Sequence, residues 1–498
     1  MVEAAASPAT KASRANHWQF WAILAGALLA AAILVRAPGL TGILFDRDEA
    51  HVAVEAQALA RGEHLYEDVI DRKPPVVPVI NAAIFEAFGT KELWSVRLVL
   101  AVWVAATGLV VAAIVVRRNG SRRASVVAGV LVVLGTVAFL PGDGQAANFE
   151  LWGALPAAGA VLLALPRAVD ERTRSKLAGL GALVGAGALV ALAAACKQPY
   201  MVTIVPVGYF AVRAPRPIPR LAAVAGGGAL VSIVLLAAFG TGQVRWAWLG
   251  TNDYLGGGEI VRGIFVLGPL MTVFFVASQI AAVGLAVRGV LGRWRDEIAI
   301  LLWLVVALIA AAAGFRFLGH YYQQVLAPLG VLAGAGADRV SVRIARTAIG
   351  GAAGIAAVAV VVALLPVSDQ REPVADAVAY VRANTDPDDS ILVWGAFPEV
   401  YWRSDRRLAG GFVHHGFLTG FWRGDAAGGE AGDDDRWEDF VADLRADPPA
   451  LVVDSSPTNV GEFERYPIAG SPLEGFLEDE GYSRVGVFDG MPIWQRPT

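Results

Sequence analysis

Asp48 and Glu49 stand side by side in the segment 45–62 (FDRDEAHVAVEAQALARG), just after the first membrane-length apolar run. A carboxylate at such a boundary can act as a general base. Two of them together, near a low-dielectric surface, should raise the pKa of one. If 48–60 is helical, Val52, Glu55, Ala56 and Leu59 lie at helical spacing from the pair. A purely structural explanation competes, because unpaired N–H groups at a helix start favour carboxylates.

Lys73 offers the complementary chemistry. It sits in Asp71-Arg72-Lys73-Pro74-Pro75, where two prolines fix the backbone and block a helix. A cation on so rigid a turn suits a phosphate. The plainer alternative is a lysine snorkelling to lipid headgroups. Glu150 follows Asn148-Phe149 at the head of another apolar run, and Lys197-Gln198-Pro199 fills a tight hairpin. The segment 315–324 (FRFLGHYYQQ) adds Arg316, His320 and Tyr321. An aromatic belt explains its tyrosines as well as function does. His51 and His64 show no tight ligand spacing with Asp48, so no metal is expected.

These residues must be positioned by membrane helices. Of 498 residues, 56% are apolar and only 17% charged, with a mean hydropathy of +0.53, which marks a polytopic membrane protein. A formal charge of −4 argues against nucleic acid, and the single Cys196 excludes an internal disulfide. Apolar runs at 18–35, 95–116, 125–140, 151–165, 177–195, 199–212, 221–239, 264–287, 298–314, 325–337 and 347–366 predict about eleven transmembrane helices. The run 76–88 is too short to span and reads as an interfacial helix. Glycine clusters at 181–187, 226–228 and 350–354 read as helix-packing surfaces.

Every second joint is basic: Arg117, Arg118, Arg122 and Arg123; then Arg167, Arg172, Arg174 and Lys176; then Arg213, Arg216 and Arg220; then Arg288, Arg293 and Arg295; then Arg339, Arg343 and Arg346. The positive-inside rule places these joints, and the N terminus, in the cytoplasm. The candidate residues then share the outer face of the cell membrane. Composition changes near residue 366. The expected division is a membrane domain at 1–366, with its external loop at 38–94, and an extracytoplasmic α/β domain at 367–498. Strands are expected at 390–394 and 450–453, and a closing hairpin at 485–488 and 492–495. The acidic run Asp433–Asp435 reads as a solvated loop.

The run 48–75 (DEAHVAVEAQALARGEHLYEDVIDRKPP), followed by an apolar helix ending Phe88-Gly89, resembles the first external loop of GT-C membrane glycosyltransferases. The similarity is to the bacterial protein O-mannosyltransferase and aminoarabinose transferase group. The later NFE, KQP and RFLGHYY segments and 391–401 (ILVWGAFPEVY) extend it over most of the chain. The resemblance implies that Asp48 is the catalytic base, Glu49 its partner and Lys73 a contact to the donor phosphate. Val52 departs from the group, where tyrosine is common. The implied reaction moves a sugar from a polyprenyl phosphate to an envelope glycan, lipid or protein at the outer face, with inversion. Arg316 and Lys197 are further phosphate candidates, and Glu150, His320, Tyr321 and Gln198 substrate candidates. The chemistry requires no cofactor and leaves room for a divalent cation. The rival class is a transporter or lipid flippase. Such proteins carry ionisable residues near mid-membrane and often repeated halves, neither of which the sequence shows.

Overall fold

Runs of Ala, Leu and Val form helices here because a helix satisfies its own backbone where water is absent. The computed structural model of the protein describes residues 8–42, 44–118, 120–166, 176–249, 259–365, 374–419, 434–458 and 464–497. Arg167, Arg172, Arg174, Asp433 and the expected boundary at 366/367 lie outside them.

Five helices among the described residues are long and apolar enough to cross a bilayer: His17–Val35, Leu93–Arg117, Gly179–Cys196, Pro217–Phe239 and Val342–Ala363. A sixth results if Gly263–Ser278 and Ile280–Val290 count as one, although these halves meet at 87°. The expected eleven spans are thereby corrected to five or six. The remaining runs are apolar but their helices stop early. Arg122–Ala138 has 17 residues, Phe149–Ala164 has 16, Ile298–Ala311 has 14 and Leu326–Ala337 has 12. At about 1.5 Å per residue these fall short of a hydrocarbon core of about 30 Å. The run 199–212 divides into a 3-10 turn, Gln198–Thr203, and a helix, Ile204–Arg213. The protein is a multi-pass, mostly helical membrane protein with a small C-terminal sheet.

The Leu93–Arg117 helix is central. It packs against Pro8–Val35, Arg122–Ala138 and Phe149–Ala164. Of the glycine clusters, 181–187 and 226–228 supply one close crossing. A Cβ on Gly187 would strike the Val224 carbonyl, and one on Gly227 the Val184 carbonyl. Gly350, Gly351 and Gly354 face open space instead. Gly227→Val is therefore expected to cost about 1–3 kcal/mol by overpacking. Gly351→Val should cost far less, and thermal unfolding of the two variants in detergent checks the difference.

Two buried arginines staple the loops at the other end of this bundle. Arg36 donates to the carbonyls of Gly144 (2.8 Å) and Ala146 (2.9 Å). Arg97 donates to the carbonyl of Gly39 (2.9 Å).

The C-terminal sheet contains β1 (Ser390–Trp394), β2 (Arg407–Leu408), β3 (Leu451–Asp454), β4 (Ser483–Phe488) and β5 (Met491–Gln495), in the order β2-β1-β3-β5-β4. β1 pairs parallel with β2 and β3, while β5 runs antiparallel to β3 and β4. β1 and β3 are buried throughout, which fits their apolar runs Ile391–Trp394 and Leu451–Val453. The sheet region is keyed to the first loop. Its Pro398–Ser404 helix packs on the Arg47–Arg61 helix. Gln57 donates to the Trp402 carbonyl (3.0 Å), Trp402 to the Lys91 carbonyl (2.9 Å) and the Ile70 N–H to the Gly411 carbonyl (2.7 Å).

Candidate active site

The Arg47–Arg61 helix starts at Asp46, whose Oδ1 accepts the Asp48 N–H at 2.9 Å. Asp46 is thus the cap, and the Asp48 carboxylate is not needed for that role. Asp48 Oδ1 lies 3.1 Å from Lys73 Nζ, which also lies 3.2 Å from Asp71 Oδ2. The turn bearing Lys73 is held from several sides. The Tyr66 hydroxyl donates to the Lys73 carbonyl (2.7 Å), and the Gln198 amide donates to the carbonyls of Arg72 (3.1 Å) and Ala247 (2.8 Å). The Gln198 amide nitrogen therefore braces the lysine turn.

Phe149 gathers the two lysines. Lys73 and Lys197 lie over its ring at 5.6 and 5.3 Å, and Lys197 lies 5.2 Å from the Tyr321 ring. Glu150 is buried and pairs with Lys197 at 3.2 Å. His320 meets Tyr321 edge-on and places Nδ1 3.7 Å from both Asp46 Oδ2 and Asp143 Oδ2. Asp48, Lys73, Glu150, Lys197, His320 and Tyr321 thus converge from four separate joints. Arg316 sits half-buried between Phe315 and Phe317, which both have positive φ and pack against Gly263 and Gly268. Val52 is buried in the core.

The expected rise in the pKa of one member of the pair is not seen at Asp48. Burial works to raise Asp48, but Lys73, His51, Lys197 and His320 outweigh it and hold the carboxyl below its usual range. Glu49 contributes no such repulsion because its own charge is matched elsewhere. Arg97 donates to Glu49 Oε1 at 2.8 Å and to Oε2 at 2.5 Å, and the Ala147 N–H donates to Oε1 at 2.7 Å. Both side chains are 1% exposed. Glu49 is set into the scaffold beneath the reacting face, where it positions the start of the helix.

Several neighbours were not among the expected site residues. Asp71 is held low by Lys73, His51 and Arg72 against the opposing effect of burial. Glu55, one face of the helix further on, is buried and pushed well above the usual range, first by burial and then by Asp71. Asp46 is raised to about 7 by burial and by the charge of Asp48. His51 is lowered to about 4, mainly by burial, and its ring lies 5.9 Å from that of His414 on the sheet region. Glu55 lay at helical spacing from Asp48, which was the available signal. His414 had none, because its contact spans hundreds of residues.

The expectation of no metal meets one cluster. Among the described residues, ligand atoms of Asp46, Asp143 and His320 lie within 4.8 Å of one another. Two carboxylates and an imidazole of this kind are a donor set that can take a divalent cation. Without a cation, Glu150, Asp143 and Asp46 hold the imidazole protonated, with a pKa near 10, despite its burial. A cavity of about 1500 Å³ lies elsewhere, lined by Gln57, Val79, Glu86, Trp402 and Arg403 among others. It is not lined by Asp48 or Lys73.

A family model described as dolichyl-phosphate-mannose-protein mannosyltransferase matches residues 72–242. That stretch contains Lys73, Glu150 and Lys197 but not Asp48. No curated protein matches the chain in sequence. ArnT from Cupriavidus metallidurans bound to undecaprenyl phosphate superposes with a TM-score of 0.63 at 16% identity, over 95% of this chain and 97% of that one. The apo form of the same protein gives 0.60 at 16% identity, over 97% and 98%. The Archaeoglobus fulgidus oligosaccharyltransferase in complex with Zn and sulfate gives 0.51 at 14% identity, over 93% and 71%. At such identities the likeness is one of fold. This chain shares the fold of these ArnT and oligosaccharyltransferase structures.

Proposed function

We propose that the protein transfers a sugar from a polyprenyl phosphate to an acceptor hydroxyl of the cell envelope. The observation that carries this reading is the Asp48–Lys73 pair at 3.1 Å, a carboxylate and a rigidly mounted cation side by side at the end of the helical bundle. Asp48 takes the proton of the acceptor hydroxyl. The hydroxyl oxygen forms a bond to the anomeric carbon as the bond from that carbon to the phosphate oxygen breaks. Lys73, with Lys197 behind it, stabilises the charge gathering on the departing polyprenyl phosphate. A phosphate leaving group needs no protonating acid, so one carboxylate suffices where glycoside hydrolysis uses two.

The pair also explains how a weak base is made stronger on demand. In the resting site Lys73 holds Asp48 low. A donor phosphate that engages Lys73 draws that cation away and raises the basicity of Asp48 when the acceptor arrives. Attack on the face opposite the phosphate inverts the anomeric carbon. A divalent cation, if bound, would be held by Asp46, Asp143 and His320 and would supply positive charge to the site.

The basic joints support a site on the outer face of a bacterial cell membrane, with the N terminus inside. In this reading 1–366 forms the catalytic membrane domain and 367–498 a domain outside the membrane that braces the first loop. Arg316 is a further candidate contact for the donor.

Lys73→Ala is expected to raise the KM for the donor by about 10-fold or more, the scale of a lost charge-assisted bond. Lys73→Arg should restore only part, because the guanidinium differs in shape and hydration. Donor titrations of purified variants test this, and wild-type kinetics in Lys73→Ala would remove Lys73 from the site.

A further inference from the structure

The opposite end of the bundle carries a second polar cavity of about 440 Å³. The Leu93–Arg117 helix measures the separation. Arg97 binds Glu49 beneath the candidate active site, while Arg117, twenty residues on, lines this cavity. At about 1.5 Å per residue the two ends stand about 30 Å apart, one hydrocarbon thickness. The transfer chemistry therefore has no use for this cavity.

Its lining is built from joints far apart in sequence. Arg117, Arg118, Arg293, Arg295 and Arg339 line it, against Asp296, Glu297 and Asp338. Arg118 pairs with Glu297 at 2.7 Å, and Arg293 with Asp296 at 2.8 Å. Asp338 accepts from the Ser121 N–H at 3.1 Å. Five arginines against three carboxylates give the lining a positive excess, to which Arg295 and Arg339 contribute. Arg339 is anchored by donation to the Gly289 carbonyl. Arg295 lies 5.4 Å over the ring of Trp294, which is 53% exposed. An exposed tryptophan beside an exposed Leu291 marks headgroup depth. The inner wall is apolar, with Phe210, Val331 and Ala335.

We propose that this cavity binds the phosphodiester headgroup of an anionic phospholipid from the leaflet at that end. The volume equals that of about fifteen waters at about 30 Å³ each, room for a headgroup rather than a bare ion. Basic pockets between helices at the membrane surface suit such headgroups. The arginine fork also matches phosphate oxygens better than a lysine would.

Native mass spectrometry of the full chain in detergent tests this, with phosphatidylglycerol, cardiolipin or phosphatidylcholine added at equal concentration. Retention of the two anionic lipids, with little phosphatidylcholine, is expected. Arg295→Gln and Arg339→Gln should each weaken retention by about 5-fold, the worth of one arginine near an anionic surface. Arg295 is exposed and its loss leaves packing intact, so that variant keeps the test valid if Arg339→Gln fails to fold. Equal retention of phosphatidylcholine, or unchanged retention by Arg295→Gln, would overturn the proposal. Displacement of the lipid by millimolar inorganic phosphate would also overturn it, and would mark a free-phosphate site instead.

Discussion

Asp48→Asn is expected to lower sugar transfer by about 10²–10⁴-fold, the usual worth of general base catalysis. Asparagine keeps the size of the side chain but cannot accept the acceptor proton at neutral pH. The structure gives little reason for the variant to misfold. The helix start is capped by Asp46, and the Asp48 side chain is about one-third exposed. Donor binding should persist or tighten, because Lys73 loses a competing carboxylate. The measurement is the initial rate of labelled-sugar transfer, normalised to monodisperse protein. A rate within about threefold of wild type, far less than a general base contributes, would pass the role to another carboxylate such as Glu150.

Arg97→Met is expected to be the most damaging substitution to stability. It strips the partner from Glu49, a carboxylate 1% exposed whose two oxygens both rest on Arg97. Leaving a buried charge unpaired costs about 3–5 kcal/mol, against a total stability of about 5–15 kcal/mol for a typical domain. The same change releases the Gly39 carbonyl, which Arg97 binds at 2.9 Å. Loss of monodisperse protein and a large fall in Tm are the expected signs. Glu49→Gln combined with Arg97→Met removes both charges and should recover much of the loss, because a neutral replacement avoids the unpaired ion. If Arg97→Met unfolds like wild type, the Glu49–Arg97 pair does not position the first loop.

The candidate site was largely legible because of where charges are rare. In a chain this apolar, polar residues concentrate in the joints between runs, so Asp48, Lys73, Glu150, Lys197 and His320 stood out and were brought together. What those joints do to one another was not legible. Asp46 and Asp143 are 97 residues apart, and only folding brings them to His320. Arg97 lies four residues past the start of a largely apolar helix, and nothing in the sequence named its partner. The same limit explains why the sequence did not show which partner each carboxylate would take. Adjacency in sequence suggested repulsion by Glu49, while tertiary contacts gave Glu49 to Arg97 and Asp48 to Lys73.

The helix count failed for a related reason. Hydropathy reports the length of an apolar run, not where its helix bends or ends. The run 264–287 looks continuous, yet Gln279 donates sideways to the Gly135 carbonyl at the 87° break. The sheet region was easier, since the β1 strand is a short unbroken apolar run and the closing hairpin turns at Asp489-Gly490. Both turn residues have positive φ, which that sequence tolerates.

The central claim is that Asp48 and Lys73 together transfer a sugar from a polyprenyl phosphate. Its most direct measurement incubates purified protein with sugar-labelled polyprenyl phosphates and an envelope extract, then follows the label. The account predicts that label moves from the lipid to an envelope product with wild-type protein. It also predicts that label stays on the lipid with Asp48→Asn, although that variant still binds the donor. Label remaining on every polyprenyl phosphate with folded wild-type protein, or moving equally well with Asp48→Asn, would contradict it.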